Sequence, residues 1–438
     1  MKKKSINLIT LGCSKNLVDS EKILGQLSHD HFELMHDADQ AADIVIVNTC
    51  GFIRDAKQES IDTILAFVEA RKRGEVQELL ITGCLSQRYR EELKKEVPEV
   101  DAWFGVFDTD ALFAHLKEKY VRKDTARMLT TPSHYAYLKV SEGCDRSCAF
   151  CAIPLIRGKH LSIPPAELLA EARQLAARGV KEIILIAQDL SSYGYDLERK
   201  SLLAPLVEAL SEIPGIEWIR LHYAYPTNFP VEVIPVMAGN PRVCRYLDIP
   251  LQHINDQVLM SMRRGHGRSA TLELIRKLRQ EVPGIALRTT MLVGFPGETR
   301  EAFNELLDFV REARFERLGV FTYSPEEGTS AFSLGDPIPE KLKEKRAAKL
   351  MAVQQEISME INASRVGQVM TVLIDEEGPD YFIGRTAFDS PGVDNEVYLE
   401  KSAGMAPGDF VQAEITGAGE FELFARQAPD SRPYQSGN

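Results

Sequence analysis

Cysteine carries most of the chemistry this sequence offers, with seven in 438 residues. Three of them, Cys144, Cys148 and Cys151, fall in the short run GCDRSCAFC. Three more, Cys13, Cys50 and Cys84, are spread over the N-terminal part, and Cys244 stands alone. A CxxxCxxC loop presents three thiolates from one short stretch of chain. An iron–sulfur cubane normally takes four cysteines. A loop that supplies three leaves one iron with an open position, as catalytic metal sites do. Zinc also gathers thiols, but structural zinc wants four ligands, and no further His or Cys completes this loop at typical spacing.

The elements that must position these thiols follow from hydrophobic patterning. Ile6 to Leu11, Asp43 to Asn48 and Glu78 to Thr82 are short apolar runs rich in branched residues. Helical patterns such as SEKILGQLSHD and QESIDTILAFVEARKRG lie between them. Alternation of this kind predicts βαβ units and a Rossmann-like parallel sheet over residues 1–120. Each of the three strands runs directly into a cysteine, in ITLGC, IVNTC and ITGC. All carboxyl ends of a parallel sheet lie on one edge, where ligands bind. Cysteine is often only a small buried residue. Three at the same topological position argue instead that Cys13, Cys50 and Cys84 converge in space.

A turn-rich stretch around Thr130-Thr131-Pro132-Ser133 begins the next part, residues 130–336. Six strand–helix repeats run from Tyr137 to Ser324, with strands YLKVSEG, EIILIAQ, WIRLHYA, YLDIPLQ, ALRTTMLVG and RLGVFTYS. Six such units predict a β/α barrel, open or closed, with function at the carboxyl ends of its strands. Residues 337–364 form one long polar helical pattern, expected to connect. Residues 365–430 change to short alternating runs with Gly and Pro between them, the pattern of a small antiparallel β-barrel. Residues 431–438 are expected to be a flexible tail. The chain as a whole is α/β in class.

Composition narrows the function. Hydrophobic residues make up 44% and charged residues 26%, which excludes general disorder. No stretch approaches the roughly 18 apolar residues of a membrane span. The opening MKKKSINLITLGC has a basic end, but its apolar run is interrupted by Asn7 and Thr10 and is shorter than a signal core. The expected location is therefore cytoplasmic, where thiols stay reduced and clustered cysteines indicate metal or catalysis. The net charge is −12, from 52 Lys and Arg against 64 Asp and Glu. Residues 363–438 hold five Lys/Arg and thirteen Asp/Glu, so −8 of the −12 sits there. Small β-barrels that bind RNA do so through a basic groove. An acidic one should repel phosphate and attract a basic protein.

The loop from Cys144 to Cys151 resembles the signature of the radical S-adenosylmethionine superfamily, whose core is an open (β/α)6 barrel. The resemblance implies that Cys144, Cys148 and Cys151 are the catalytic cysteines and hold a 4Fe–4S cluster whose unique iron chelates S-adenosyl-L-methionine. It also implies an electron transfer to the sulfonium that yields a 5′-deoxyadenosyl radical, chemistry the cofactor supplies. Phe150 matches the aromatic that typically precedes the third cysteine. GFPGE resembles the glycine-rich segment near the adenosine, which makes Gly294, Gly297 and Glu298 cofactor-binding candidates. By itself such a turn after a strand is ordinary punctuation. Gln188 and Asp189 stand where the family contacts the methionine moiety.

A three-cysteine domain, a radical barrel and a terminal TRAM-like barrel together resemble the methylthiotransferases over nearly the whole chain. That resemblance implies a second 4Fe–4S cluster on Cys13, Cys50 and Cys84, whose open iron carries the sulfur to be transferred. LGCSKNLVDSE at 11–21, YAYLKVSEGCDRSCAFC at 135–151 and AIPLIRGKHLS at 152–162 are similar to the branch (RimO type) that modifies an aspartate of the ribosomal S-twelve protein. The transfer-RNA branch typically has Gln-Met-Asn where this chain has Ser14-Lys15-Asn16, and Thr where it has Ala149. The implied reaction inserts sulfur at the aspartate β carbon, and a second S-adenosylmethionine supplies the methyl group, giving 3-methylthioaspartate. An external electron donor such as flavodoxin or ferredoxin is implied, and no strong direct nucleic-acid binding is expected. A transfer-RNA methylthiotransferase and a ribosome-assembly factor with purely structural clusters remain the alternatives.

Several other residues are ambiguous in sequence. Arg157 could face the cofactor or an acidic substrate, or be an ordinary salt-bridged arginine. His222 and Tyr223 end the third barrel strand, where a packed histidine is the commoner case. Cys244 is expected to be a core thiol. Nothing in the sequence separates Lys139 and Glu142 from structural charges.

Overall fold

The computed structural model describes residues 3–118 and 127–429. The first unit is a parallel sheet built from β1 (Lys4–Thr10), β2 (Phe32–His36), β3 (Ile44–Thr49), β4 (Glu78–Gly83) and β5 (Ala102–Trp103). Its strand order is β2-β1-β3-β4-β5. All six residues of β3 are buried. This explains why the run IVIV is continuous rather than alternating, since helices cover both faces of a parallel sheet. Ile6, Leu8, Leu24 and Phe113 pack on one face, and Val45, Val47, Ile64 and Val68 on the other. Three helices begin at or just past the strand ends: α1 (Ser14–Gln26), α2 (Arg54–Lys72) and α3 (Cys84–Glu96).

The second unit starts with β6 (Tyr135–Lys139), followed by a ribbon of β7 (Ser141–Glu142) and β8 (Leu161–Ser162). The ribbon brackets the loop that carries Cys144, Cys148 and Cys151. The sheet continues through β9 (Glu182–Ile186), β10 (Trp218–Leu221), β11 (Val243–Asp248), β12 (Ala286–Val293) and β13 (Arg317–Thr322). These six strands are parallel, in the sequential order β6-β9-β10-β11-β12-β13, so the barrel is open with β6 and β13 at its edges. Val18 of α1 packs on Ile184 and Ile186 of β9, which seats the N-terminal unit on the barrel. The helix Glu340–Ala363 does more than connect. Leu350, Val353 and Ile357, at helical spacing on one side, join the barrel core.

The third unit contains β14 (Val369–Glu377), β15 (Tyr381–Thr386), β16 (Glu396–Glu400), β17 (Phe410–Ala418) and β18 (Glu422–Gln427). They close a five-stranded barrel in the order β14-β15-β16-β18-β17. Four pairings are antiparallel, and the fifth, β16 with β18, is parallel. This barrel docks on the amino ends of the strands of the six-stranded open barrel. Leu373 and Phe410 pack on Trp218, Cys244 and Ala286, which settles Cys244 as a core thiol. Arg220, fully buried, donates from Nε to Glu182 at 2.8 Å and from Nη1 to the Ala387 carbonyl at 2.8 Å. Asp389 pairs with Arg317, and Asp394 with Arg288 at 3.2 Å. Part of the module's acidity is therefore spent inside this interface. The expected tail, 431–438, lies outside the described residues.

Candidate active site

The first cysteine triad is made by neighbouring strands. β1, β3 and β4 lie side by side, so their carboxyl ends meet. Cys13 caps α1, Cys50 follows β3, and Cys84 opens α3. The approach is close enough to demand glycine at two places. A Cβ on Gly12, whose φ is 91°, would stand 2.6 Å from Cys50 Cβ and 2.8 Å from its sulfur. A Cβ on Gly83, at φ 96°, would stand 2.4 Å from Asn48 Oδ1. Asn16 laces the strand ends together by donating from Nδ2 to the carbonyls of Leu11 at 2.9 Å and Thr49 at 3.0 Å. The Cys50 N–H donates to Ser60 Oγ at 3.0 Å.

The second triad lies at the carboxyl end of the barrel, on the loop between β7 and β8. Tyr225 and Arg264 hold Cys148: its sulfur is 3.4 Å from Tyr225 Oη and accepts from Arg264 Nη1 at 3.3 Å. The guanidinium carbons of Arg264 and Arg146 lie 4.2 and 4.3 Å from the Tyr225 ring centroid. Burial pushes the Cys144 thiol up to about 11, and Cys50 and Cys151 up to about 12. Burial raises Cys84 as well, against the opposing pull of Arg157. Thiols held this way stay protonated at neutral pH unless a cation replaces the proton.

Both triads open on one cavity of about 540 Å³, whose wall includes all six cysteines. Phe150 and Gln188 are also in that wall. Gln188 Nε2 donates to Glu142 at 2.7 Å, while its Oε1 is buried without a partner among the described residues. That orphaned acceptor beside a cysteine triad fits a bound ammonium-bearing cofactor. The donor set fits iron–sulfur clusters: three thiols each, soft ligands, with the glycine cradle of Gly12 and Gly83 clearing space. Among the described residues no three His, Cys, Asp or Glu side chains are gathered tightly enough for a single ion. A four-iron cube spreads its thiolates wider than one ion does.

The structure does not bring every candidate to the wall. Asp189 is buried beneath it, capping a short helix through the Ser191 N–H at 3.0 Å and accepting from Arg146 Nε at 2.7 Å. Gly294, Gly297 and Glu298 lie in the turn after β12, whose residue Leu292 does line the cavity. Glu298 there pairs with Arg346 at 2.8 Å. His222 is buried beside Tyr246, and burial together with Arg220 and Arg288 holds its pKa well below the usual value, so it is a neutral packed histidine. Lys15 and Arg146, which fall inside the cysteine-bearing segments without a role assigned there, line the cavity together with Tyr225 and Arg264. For Tyr225, which follows β10, position after a barrel strand was the available signal.

Arg157, Lys139 and Glu142 form one charged cluster with Asp19 between the units. Arg157 is buried between the units. It donates to Cys84 sulfur from Nη2 at 3.3 Å and from Nε at 3.4 Å. It also reaches Asn16 Oδ1 at 2.6 Å, Asp19 at 2.7 Å and Glu142 at 3.1 Å. Lys139 donates to Glu142 at 2.7 Å and pairs with Asp19. Two cations and two carboxylates thus tie α1 to the barrel loop directly behind the cysteines.

An open six-stranded parallel barrel with three cysteines on the loop after its first strand defines the class, a radical SAM protein. The Radical SAM superfamily model matches residues 138–310. The uncharacterized protein family UPF0004 matches residues 5–105, and the TRAM domain matches 366–427. Among solved structures, TsrM of Kitasatospora setae, a radical S-adenosylmethionine methyltransferase, aligns with a TM-score of 0.53 at 14% identity, over 93% of this chain and 84% of that one. The cobalamin-dependent radical enzyme OxsB aligns with a TM-score of 0.50 at 13% identity, over 78% and 56%. Those likenesses concern the fold.

Much nearer in sequence are proteins named ribosomal protein uS12 methylthiotransferase RimO. That of Christiangramia forsetii is 51% identical over 97% of this chain and 94% of its own. That of Porphyromonas gingivalis is 52% identical over 97% and 99%, and that of Bacteroides fragilis 51% over 97% and 99%. This chain belongs to the RimO family.

Proposed function

We propose that the protein is a radical SAM methylthiotransferase acting on ribosomal protein uS12, the S-twelve protein of the small subunit. It places a methylthio group on the β carbon of an aspartate, giving 3-methylthioaspartate. The observation that carries this reading is the convergence of two cysteine triads, from separate units, on one cavity. Cys144, Cys148 and Cys151 would hold one 4Fe–4S cluster, and Cys13, Cys50 and Cys84 the other. When bound, the clusters and S-adenosyl-L-methionine supply the electron, the hydrogen-abstracting radical, the sulfur and the methyl group.

The chain's own residues do the rest. Gln188 offers its free Oε1 to the ammonium of the methionine moiety, and Phe150 gives that end of the cavity an apolar wall. Asp189 acts through Arg146, fixing the guanidinium that lies over Tyr225. Gly294, Gly297 and Glu298 border the adenosine end from the turn beyond Leu292. Tyr225 and Arg264 orient Cys148, and Arg157 orients Cys84. The apolar cavity wall keeps water from the reacting carbon.

We infer that an external reductant of the flavodoxin or ferredoxin kind reaches the barrel loop, and that the enzyme works in the cytoplasm, where clustered thiols stay reduced. Among the described residues no helix is long and apolar enough to cross a membrane. A transfer-RNA substrate fits less well, because Glu376, Glu377, Glu396 and Glu400 stand exposed on the terminal barrel and repel phosphate. The test is mass spectrometry of uS12 from cells with and without this chain. A methylthio group on one aspartate, present only with the chain, is expected. The same group on transfer RNA and an unmodified uS12 would overturn the assignment.

A further inference from the structure

We propose that Lys15 is the specificity residue of the cavity, the cation that receives the side-chain carboxylate of the substrate aspartate. The inference rests on the methylthiotransferase reading and names the contact by which that site selects its substrate. Lys15 lies two residues past Cys13, in the first turn of α1, and lines the cavity that both triads share. The charges around it are otherwise committed. Among the cavity cations, Arg54 pairs with Glu340 at 3.1 Å, Arg146 with Asp189 at 2.7 Å and Arg157 with Asp19 at 2.7 Å. Arg264 is taken by the Cys148 sulfur and the Pro250 carbonyl. The cavity carboxylates are engaged too: Asp55 with Arg54 at 3.3 Å, Asp248 with Arg288 at 2.9 Å, and Glu326 with Lys57 at 2.9 Å.

No carboxylate among the described residues forms an ion pair with Lys15. Its ammonium instead sits 3.3 Å from the ring centroid of Tyr223. A cation–π contact contributes about 0.5–2 kcal/mol and fixes the ammonium without neutralising it. The platform is itself held: the Tyr223 N–H donates to Asp248 Oδ2 at 3.2 Å, and its backbone is kept in the left-handed region at φ 63°. The Tyr223 side chain, the Cys13 thiol and Asp248 act on the ammonium, but Asp248 is already paired with Arg288 and no carboxylate lies in ion-pair contact, so the cation still favours an incoming anion. The first-turn N–H groups of α1 add partial positive charge of the same sign. A side-chain carboxylate bound there has its β carbon one bond away, beside the Cys13 triad. An asparagine in the same place keeps the shape and loses the charge.

The experiment measures equilibrium binding of fluorescently labelled uS12 to the anaerobically loaded enzyme without reductant. The modified aspartate, located by mass spectrometry, is compared with its asparagine variant. The unaltered enzyme should bind the aspartate form at least about tenfold more tightly, the scale of one charge-assisted hydrogen bond. Lys15→Met should abolish that preference, and Lys15→Arg should retain most of it. In turnover, Lys15→Met should raise KM for uS12 by about the same factor. Lys15→Met retaining the full preference, or no preference in the unaltered enzyme, would overturn the proposal. Should Lys15→Met fail to load iron, the unaltered enzyme's preference and the Lys15→Arg variant decide the matter. Failure of the parent reading looks different: no aspartate of uS12 is modified at all, and the inference falls with it.

Discussion

Removing Arg157 should loosen the seat of the N-terminal unit and alter the first triad together. The side chain sits between Asp19, Glu142, Asn16 and Cys84, with heavy-atom distances from 2.6 to 3.4 Å. In Arg157→Leu, Lys139 alone must balance two carboxylates. Breaking a buried pair from one side costs about 3–5 kcal/mol, because the other charge is stranded. Asp19 and Glu142 keep side-chain exposures of 25% and 21%, which water can use, so about 3 kcal/mol is the better figure. For a unit of about 120 residues that lowers Tm by roughly 12 °C. Calorimetry of the anaerobically loaded protein should show it in the transition that carries the N-terminal unit. Loss of two N–H donors to the Cys84 sulfur should also move the reduction potential of the cluster on that triad to more negative values, since hydrogen bonds to sulfur stabilise the reduced state. Adding Asp19→Asn should recover part of the lost stability by removing the stranded charge. A Tm change below about 2 °C with an unchanged potential would refute both the clamp and the sulfur contact.

Other consequences are equally direct. Gly12→Ala places a Cβ 2.6 Å from that of Cys50 at a backbone angle only glycine tolerates, costing on the order of 1–3 kcal/mol; iron analysis should find about four irons per chain instead of about eight. Cys148→Ala should abolish 5′-deoxyadenosine formation, whereas Cys50→Ala should remove the methylthio product while 5′-deoxyadenosine still forms; full product from Cys50→Ala would sink the second-cluster assignment. Burial works to raise the Asp19 pKa, but Lys139 and Arg157 outweigh it and hold it at about 2. Its contribution to stability is therefore complete above the ordinary value near 4 and is lost as pH falls from there through 2. Asp19→Asn should flatten that limb of an acid-unfolding curve, and an unchanged limb would contradict the pairing.

Each part of the site was legible in sequence to the extent that it depended on local order. The cysteines were readable because strand period and parallel connection fix where a strand's carboxyl end lies, and Cys13, Cys50 and Cys84 each follow such an end. The six-fold repeat was readable for the same reason, and it placed Cys144, Cys148 and Cys151 at the active edge. Arg157 and Lys15 were not. The role of Arg157 depends on Asp19, Asn16 and Cys84, which are 73 to 141 residues away and meet it only when two units dock. Lys15 is distinguished by lacking a carboxylate in direct ion-pair contact, Asp248 nearby being paired with Arg288, and that depends on where the whole fold places the neighbouring charges. Sequence shows the acidity of the terminal barrel but not which way each carboxylate faces. Asp375, Asp389 and Asp394 face barrel cations and His134, at the end of the strands opposite the cavity. Its remaining charge acts on a basic partner as a long-range field rather than at the reacting carbon.

Beside the apolar contact of Val18 with Ile184 and Ile186, three buried or half-buried polar ties hold the two cysteine-bearing units together. Arg127 bridges Glu21 of α1 at 2.7 Å and Glu171 of the barrel at 3.0 Å. The Arg157 quartet is the second, and the third joins Lys57 of α2 and Arg88 of α3 to Glu326 beyond β13. Apolar surfaces hold units together but tolerate sliding, whereas charge-assisted hydrogen bonds have direction as well as strength. Three such ties on three different helices or their flanks leave little freedom of rotation or translation between the units. A reaction that needs one carbon presented to both triads in turn depends on that fixed separation far more than on net stability. The interface accordingly spends buried charge where greasy packing would have served stability as well.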